Sequence, residues 1–221
     1  MHSLDFSVVF DRLPELLRGC LGTLGLAMAG TVLALAIGLT GVLLRRSRFA
    51  ATRVAVKVFV EVIRNTPFLV QIFFLFFALP FLGLRLSPTV TAVIALGVNG
   101  GAYAIEIIRG GLDSVHKGQA EAGFALGLRS ADVFRFIILK PALRAVYPAL
   151  TSQFVMLTLA TSICSSISAY ELTSAAQRIE SDTFRTFEVY FTATGMYLVI
   201  SWLLMSGFGL IARRSLSYPT R

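Results

Sequence analysis

At 221 residues, with 56% hydrophobic and 14% charged side chains and a mean hydropathy of +0.76, the chain lies outside the range of ordinary soluble domains. Its apolar residues come in long blocks, each near the roughly 20 residues needed to cross a hydrocarbon core, so the length serves crossing rather than one globular core. The net charge of +8 does not point to nucleic acid, because the positive residues form no aromatic-interleaved stripe and sit beside the apolar blocks as topology signals.

Residues 1–19 read as an amphipathic segment lying in the membrane interface: Leu4, Val8, Leu13, Leu16 and Leu17 are mixed with Asp11, Arg12, Glu15 and Arg18. Asp5, Asp11 and Glu15 precede the first apolar block, unlike the basic start of a cleaved signal peptide, so this segment is expected to be retained. Residues 20–44 carry no charge and form the first span, with Gly22, Gly25, Gly30, Gly38 and Gly41 offering small surfaces for close helix packing. A second span runs to about Pro80 and is interrupted by Arg64-Asn65-Thr66-Pro67, which predicts a bend or break near the proline. Residues 89–108 make a third span, a hydrophilic connection covers about 109–144, a fourth span covers 147–167, and 189–211 make a fifth after a polar segment.

Orientation follows from Lys and Arg in the connections. Arg45, Arg46, Arg48, Arg53 and Lys57 share one side with Arg109, Lys117, Arg129, Arg135, Lys140 and Arg144, and with Arg213, Arg214 and Arg221. The other side holds only Arg12, Arg18, Arg85, Arg178 and Arg185. The N-terminus is therefore expected outside, and the 109–144 connection and the C-terminus in the cytoplasm.

The chain shows no chemistry of its own. It lacks a phosphate-cradling G-x-x-x-x-G-K-[ST] loop, His2 and His116 have no metalloprotease spacing, and the serines of 162–168 have no nearby base. Cys20 and Cys164 lie in or beside apolar spans, where both read as small apolar side chains and no metal site is expected. Polar groups inside spans are costly in lipid and tend to face protein or water, so Arg64, Asn65, Gln71, Asn99, Tyr103 and Glu106 nominate a solute pathway. The break at Thr66-Pro67 would free backbone groups suited to an amino or carboxylate group. A structural role stays open beside this one: Arg64 can end a span, and Glu106 can pair with Arg109 or Arg64. In the hydrophilic connection, residues 114–125 are helix-compatible, Gly127 can end that helix in a left-handed conformation, and Ser130 or Asp132 can cap the next one. The result is a helix-turn-helix stiff enough to transmit a push.

Glu121-Ala122-Gly123-Phe124-Ala125-Leu126-Gly127, running on to Ile137-Ile138-Leu139-Lys140-Pro141, resembles the cytoplasmic docking loop of ABC-importer permeases. That family's loop reads E-A-A, three residues, Gly, nine residues, Ile, one residue, Leu-Pro; Glu121, Ala122, Gly127, Ile137 and Leu139 fall at those places. Gly123 stands where the second Ala is usual, and Lys140 displaces the Pro by one position. EVIRNTPFLVQIFFLFFALP (61–80), GAYAIEIIRGG (101–111) and TFRTFEVY (183–190) resemble the polar amino-acid subgroup, which takes up His, Glu, Gln, Arg or opines.

The resemblance implies an all-α polytopic inner-membrane protein with five transmembrane helices, the type I ABC-importer permease fold, over residues 20–215. It further implies a second permease subunit, identical or homologous, a cytoplasmic ATPase dimer holding ATP and Mg, an extracytoplasmic solute-binding protein and an amino-acid substrate. Glu121, Ala122, Gly123, Ala125, Leu126, Gly127, Leu128 and Arg129 would meet the ATPase. Thr66, Pro67, Gln71, Asn99, Tyr103 and Glu106, with Thr158, Thr161 and Ser162 from the fourth span, would line the pathway. Where the subgroup commonly has Lys-Asp before Thr-Ser, this chain has Leu159-Ala160. Either the neighbouring hydroxyls bind a less charged part of the solute, or this subunit shapes the pathway while a different partner binds. The rival reading is an ion-gradient-driven transporter or a channel, against which no inverted repeat relates the two halves.

Overall fold

The computed structural model describes residues 4–215; His2 and Arg221, both used in the sequence reading, lie outside the described residues. Among the described residues every regular element is helical: α1 (Ser7–Asp11), α2 (Leu13–Arg45), α3 (Ala50–Arg64), α4 (Phe68–Ala78), α5 (Pro88–Asp113), α6 (Lys117–Ala125), α7 (Ser130–Asp132), α8 (Leu139–Ala160), α9 (Leu172–Thr183) and α10 (Thr186–Ser215), with tighter or wider turns joining some of them. Among the described residues four helices are long and apolar enough to cross a membrane, and α3 with α4 make a fifth if that bent pair counts as one span.

The bundle is built around α2 and α5. Gly30 lies against Leu96, Ala34 against Gly100 and Gly38 against Ala104, so the two helices run parallel with a constant offset. Glycine permits this approach: a Cβ added to Gly38 would lie 2.7 Å from the Ala104 Cβ, and one on Gly30 would lie 2.8 Å from the Leu96 Cβ. Between lipid-solvated helices there is little hydrophobic drive, so association depends on close backbone contact of this kind. On the end of this pair that bears Arg45, α3 packs through Val56 and Val60 onto Val42 and Ile105. Towards the other end α4 packs through Ile72 onto Leu26, Ala92, Ala95 and Leu96. Helix α8 joins α5 where Leu157 fills the space beside Gly100, and joins α10 through the Tyr147 hydroxyl, which donates to the Phe208 carbonyl at 2.9 Å.

Three boundaries differ from the sequence expectation. The first span begins at Leu13 rather than at residue 20, which leaves only Ser7–Asp11 as a separate short helix. Pro14 sits in the first turn of α2, where its missing N–H costs no helical bond, and nothing after it breaks the helix. The fourth span is continuous with the preceding loop helix from Ser130 through Ile167. Its wide turn, Val133–Ile138, lies just before Pro141, whose lacking N–H cannot bond the Ile137 carbonyl. The polar segment before α10 forms α9, opened by a capping box in which the Glu171 carboxylate accepts the Ser174 N–H at 2.7 Å and the Ser174 hydroxyl accepts the Glu171 N–H at 2.9 Å. Glu171 is fully buried, and burial pushes its carboxyl above the usual range against the lowering effect of the Tyr197 hydroxyl that bonds it. The Leu172 N–H donates to Thr23 Oγ1 at 3.2 Å, which ties α9 to α2.

If the glycine contact sets the bundle, Gly38→Ala forces Cβ against Cβ and lowers the melting temperature of the detergent-purified protein, by an overpacking cost of about 1–3 kcal/mol. Gly195→Ala, with nothing within 4 Å of the added carbon, leaves the melting temperature unchanged or raises it.

Candidate translocation site and coupling loop

The break between α3 and α4 bends the chain by 107°. Pro67 disfavours helical backbone at Thr66 and is itself extended, with φ −64° and ψ 137°. Side chains reach the carbonyls at the end of α3: Thr66 Oγ1 donates to the Val62 carbonyl, and Asn65 Nδ2 joins its own backbone N–H on the Glu61 carbonyl, both side-chain bonds at 2.8 Å. Gln71 then reaches back from α4, its Nε2 donating to the Ile63 carbonyl at 2.7 Å and to Thr66 Oγ1 at 2.8 Å. Its Oε1 accepts from Asn99 Nδ2 at 2.9 Å, so one side chain binds the broken span to α5.

Asn99, Tyr103 and Glu106 follow one another at four- and three-residue spacing and form a polar stripe on α5. The Arg64 guanidinium lies over the Tyr103 ring, 5.3 Å from its centroid. Glu106 is half-buried and held by two cations: Arg45 bonds Oε1, and Arg109 donates to Oε2 at 2.6 Å while also bonding Asp113 at 2.9 Å. Thus Glu106 takes Arg109, one of its two expected partners, and Arg45 in place of Arg64. A polar cavity of about 300 Å³ opens between the stripe and α3. The fourth-span hydroxyls stand outside this hydrogen-bonded group. Thr158 and Thr161 are fully buried and donate to the Phe154 and Thr158 carbonyls at 2.9 and 2.7 Å, and Ser162 donates to the Leu159 carbonyl at 2.7 Å. Serine and threonine in helices often back-bond in this way, and among the described residues none of the three shares a hydrogen bond with α4 or α5.

Helix α6 starts later than expected, at Lys117, because the His116 side chain caps it by accepting the Gly118 N–H at 3.2 Å. It ends as predicted at Gly127, whose φ is 78°. The Gly127 N–H bonds the Phe124 carbonyl at 2.9 Å and the Leu128 N–H bonds the Gly123 carbonyl at 3.1 Å, which is a Schellman motif. The next helix is not capped by Ser130 or Asp132: both lie in its first turn and Arg129 takes the N-cap place without a side-chain bond. There the Asp132 carboxylate complements the helix dipole. Gly123 is buried, and a Cβ on it would lie 3.0 Å from Val133 Cγ2, which is why the smallest residue stands there. Glu121, Ala122, Ala125, Leu126, Gly127, Leu128 and Arg129 are all exposed, and with Phe124 they form a protruding tip on which Leu126 is 81% exposed.

Residues 30–217 match the family described as binding-protein-dependent transport system inner membrane component. The chain belongs to this family. It is 39% identical to the glutamine transport system permease protein of Escherichia coli (strain K12), over 90% of this chain and 92% of that protein. It is 36% identical to the L-cystine transport system permease protein of Bacillus subtilis (strain 168), over 91% of this chain and 86% of that protein. Among solved structures it matches an amino acid ABC transporter crystallised with histidines, with a TM-score of 0.91 and 31% identity over 96% of this chain and 100% of that one.

In this inner membrane component the structure brings Thr66, Gln71 and Asn99 into one hydrogen-bonded group, sets Tyr103 and Glu106 on the same helix face, and leaves Thr158, Thr161 and Ser162 apart. Sequence reasoning used Arg45 only as a topology signal and missed its contact with Glu106. The glycines at 30, 38, 97, 100 and 101 could have found it, because they fix the parallel register of α2 on α5. The Gln71–Asn99 bond has its own test. A double-mutant cycle of Gln71→Ala and Asn99→Ala, read by thermal unfolding in detergent, should give a coupling of about 0.6 kcal/mol and at most about 1.7, the range found for hydrogen bonds between membrane helices.

Proposed function

We propose that this chain is the permease subunit of an ATP-driven amino-acid importer, with its N-terminus outside and its C-terminus in the cytoplasm. The observation that carries this reading is the protruding α6 tip on the basic side of a bundle whose relatives are named as amino-acid permeases. The tip lies where lysines and arginines accumulate, the side the positive-inside rule gives to the cytoplasm. A cytoplasmic ATPase dimer holding ATP and Mg docks there, on Glu121, Ala122, Gly123, Ala125, Leu126, Gly127, Leu128 and Arg129. Two permease subunits enclose the path between them, and a solute-binding protein delivers the amino acid from outside. Thr66, Pro67, Gln71, Asn99, Tyr103 and Glu106 line the path from this subunit. Thr158, Thr161 and Ser162 act by exchanging their backbone bonds for solute. Leu159, 39% exposed, and Ala160 present no charge beside them, which favours a homologous partner permease supplying the ionic contacts of that span.

ATP closure of the ATPase pair moves the tip, and the spans alternate between outward and inward openings. Reconstituted with its ATPase, partner permease and binding protein, the chain should take up amino acid only with ATP; uptake by this chain alone, driven by an ion gradient, would overturn the reading. Glu121→Arg combined with Gly127→Val reverses a charge and forces a β-branched residue into left-handed backbone. Radiolabelled uptake by that variant should fall at least severalfold while ATP hydrolysis continues, and wild-type uptake would sink the lever role.

A further inference from the structure

The polar cavity at the basic end of the bundle has charges that the ion pairs around it do not use. Arg45 and Arg109 are both occupied by Glu106. Lys57, Glu61 and Arg64, which line the same cavity from α3, form no ion pair among the described residues. They fall at i, i+4 and i+7, on one face of the helix. Glu61 and Lys57 therefore had the spacing of a helical salt bridge, as did Glu61 and Arg64, and neither pair closes. Arg64 instead lies over the Tyr103 ring. The Asn65 side-chain amide donates to the Glu61 carbonyl, which leaves its Oδ1 as a further acceptor on a residue that lines the same cavity.

We infer that this cavity, which lies on the cytoplasmic side of the Gln71–Asn99 bond along α5, is an inner binding site for the zwitterionic head of an α-amino acid. The inference rests on the permease reading above. Arg64, fixed by Tyr103, takes the carboxylate; Glu61, three residues and about 4.5 Å of helix rise away, takes the ammonium. Asn65 Oδ1 adds an acceptor on the ammonium side, and Lys57 raises the positive potential at the mouth. A volume of about 300 Å³ holds roughly ten waters, enough for a small amino acid whose side chain points outward. Recognition is thus of the shared backbone groups and not of the side chain. A solute leaving the pathway pauses here, and cytoplasmic amino acid that occupies the site holds the inward-open form and slows further import.

The test uses the assembled complex of permeases and ATPases, nucleotide-free, with L-glutamine, L-glutamate and L-arginine as probes in equilibrium binding. All three should bind competitively, and Glu61→Gln and Arg64→Gln should each weaken them roughly tenfold or more, the loss of one charge-assisted contact. Both substitutions lie on an exposed helix face, and matching melting temperatures verify folding. Propionate, which lacks the ammonium, should fail to compete. Unchanged affinity in both variants, no amino-acid binding by the wild type, or equal competition by propionate overturns the inference. Stronger competition by glycerophosphoethanolamine than by any amino acid overturns it in favour of a lipid headgroup. ATP-driven uptake by the same complex in liposomes, with amino acid inside raising inhibition in the wild type and not in Glu61→Gln, reads the permease assignment separately: absent uptake defeats that assignment while the binding result still decides the cavity.

Discussion

The close parallel packing of α2 on α5 is the constraint on which the other features depend. Small residues at 30, 34 and 38 of one helix meet 96, 100 and 104 of the other, and that offset carries through to their ends. It brings Arg45 to Glu106 and turns the stripe of Asn99, Tyr103 and Glu106 towards α3 and α4. A half-buried carboxylate between two guanidinium groups is expensive if either partner is displaced, because the remaining charge loses its compensation in a poorly solvated place. The helix register thus decides which charges in the bundle are neutralised and which, on α3, remain available.

The broken span solves a related problem. Unpaired backbone groups cannot face hydrocarbon, so a break inside the bundle needs donors and acceptors from its own side chains. Thr66, Asn65 and Gln71 supply donors to the carbonyls of α3, and Asn99 completes the Gln71 amide from the neighbouring helix. This makes the break stiff rather than a hinge. Pathway and structural roles for Gln71 and Asn99 are then not alternatives: the same bond that supports the break sets polar groups at a fixed place on the bundle surface.

Local signals made much of this readable from the sequence. Charge-free runs marked the spans, proline marked the break at 67, and glycine marked the left-handed residue at 127, because each rests on properties of a few adjacent residues. Pairings over long separations were not readable. Arg45 lies 61 residues from Glu106, and only the register of two helices brings them together. Thr158 and Thr161 were ambiguous for another reason: a hydroxyl in a span can turn to a solute or to the carbonyl three or four residues back, and side-chain type does not distinguish them. The boundary of the fourth span was missed because Lys140 and Arg144 read as part of a hydrophilic connection, whereas the helix runs through them and a wide turn absorbs Pro141.

That wide turn also explains how a force on the loop could travel. Helix α6 is seated on Val133 and Ile137 through the bare backbone of Gly123, and those two residues belong to the same continuous helix that becomes the fourth span. Further along, Val146 and Ala142 abut Gly111 at the end of α5, and Tyr147 holds the Phe208 carbonyl of α10. A displacement of Leu126 therefore reaches α5 near Glu106, Arg109 and Asp113 before it reaches the bundle centre. Packed helices move as bodies and do not compress, so the arrangement of charges at that end is the first thing a movement of the loop must change.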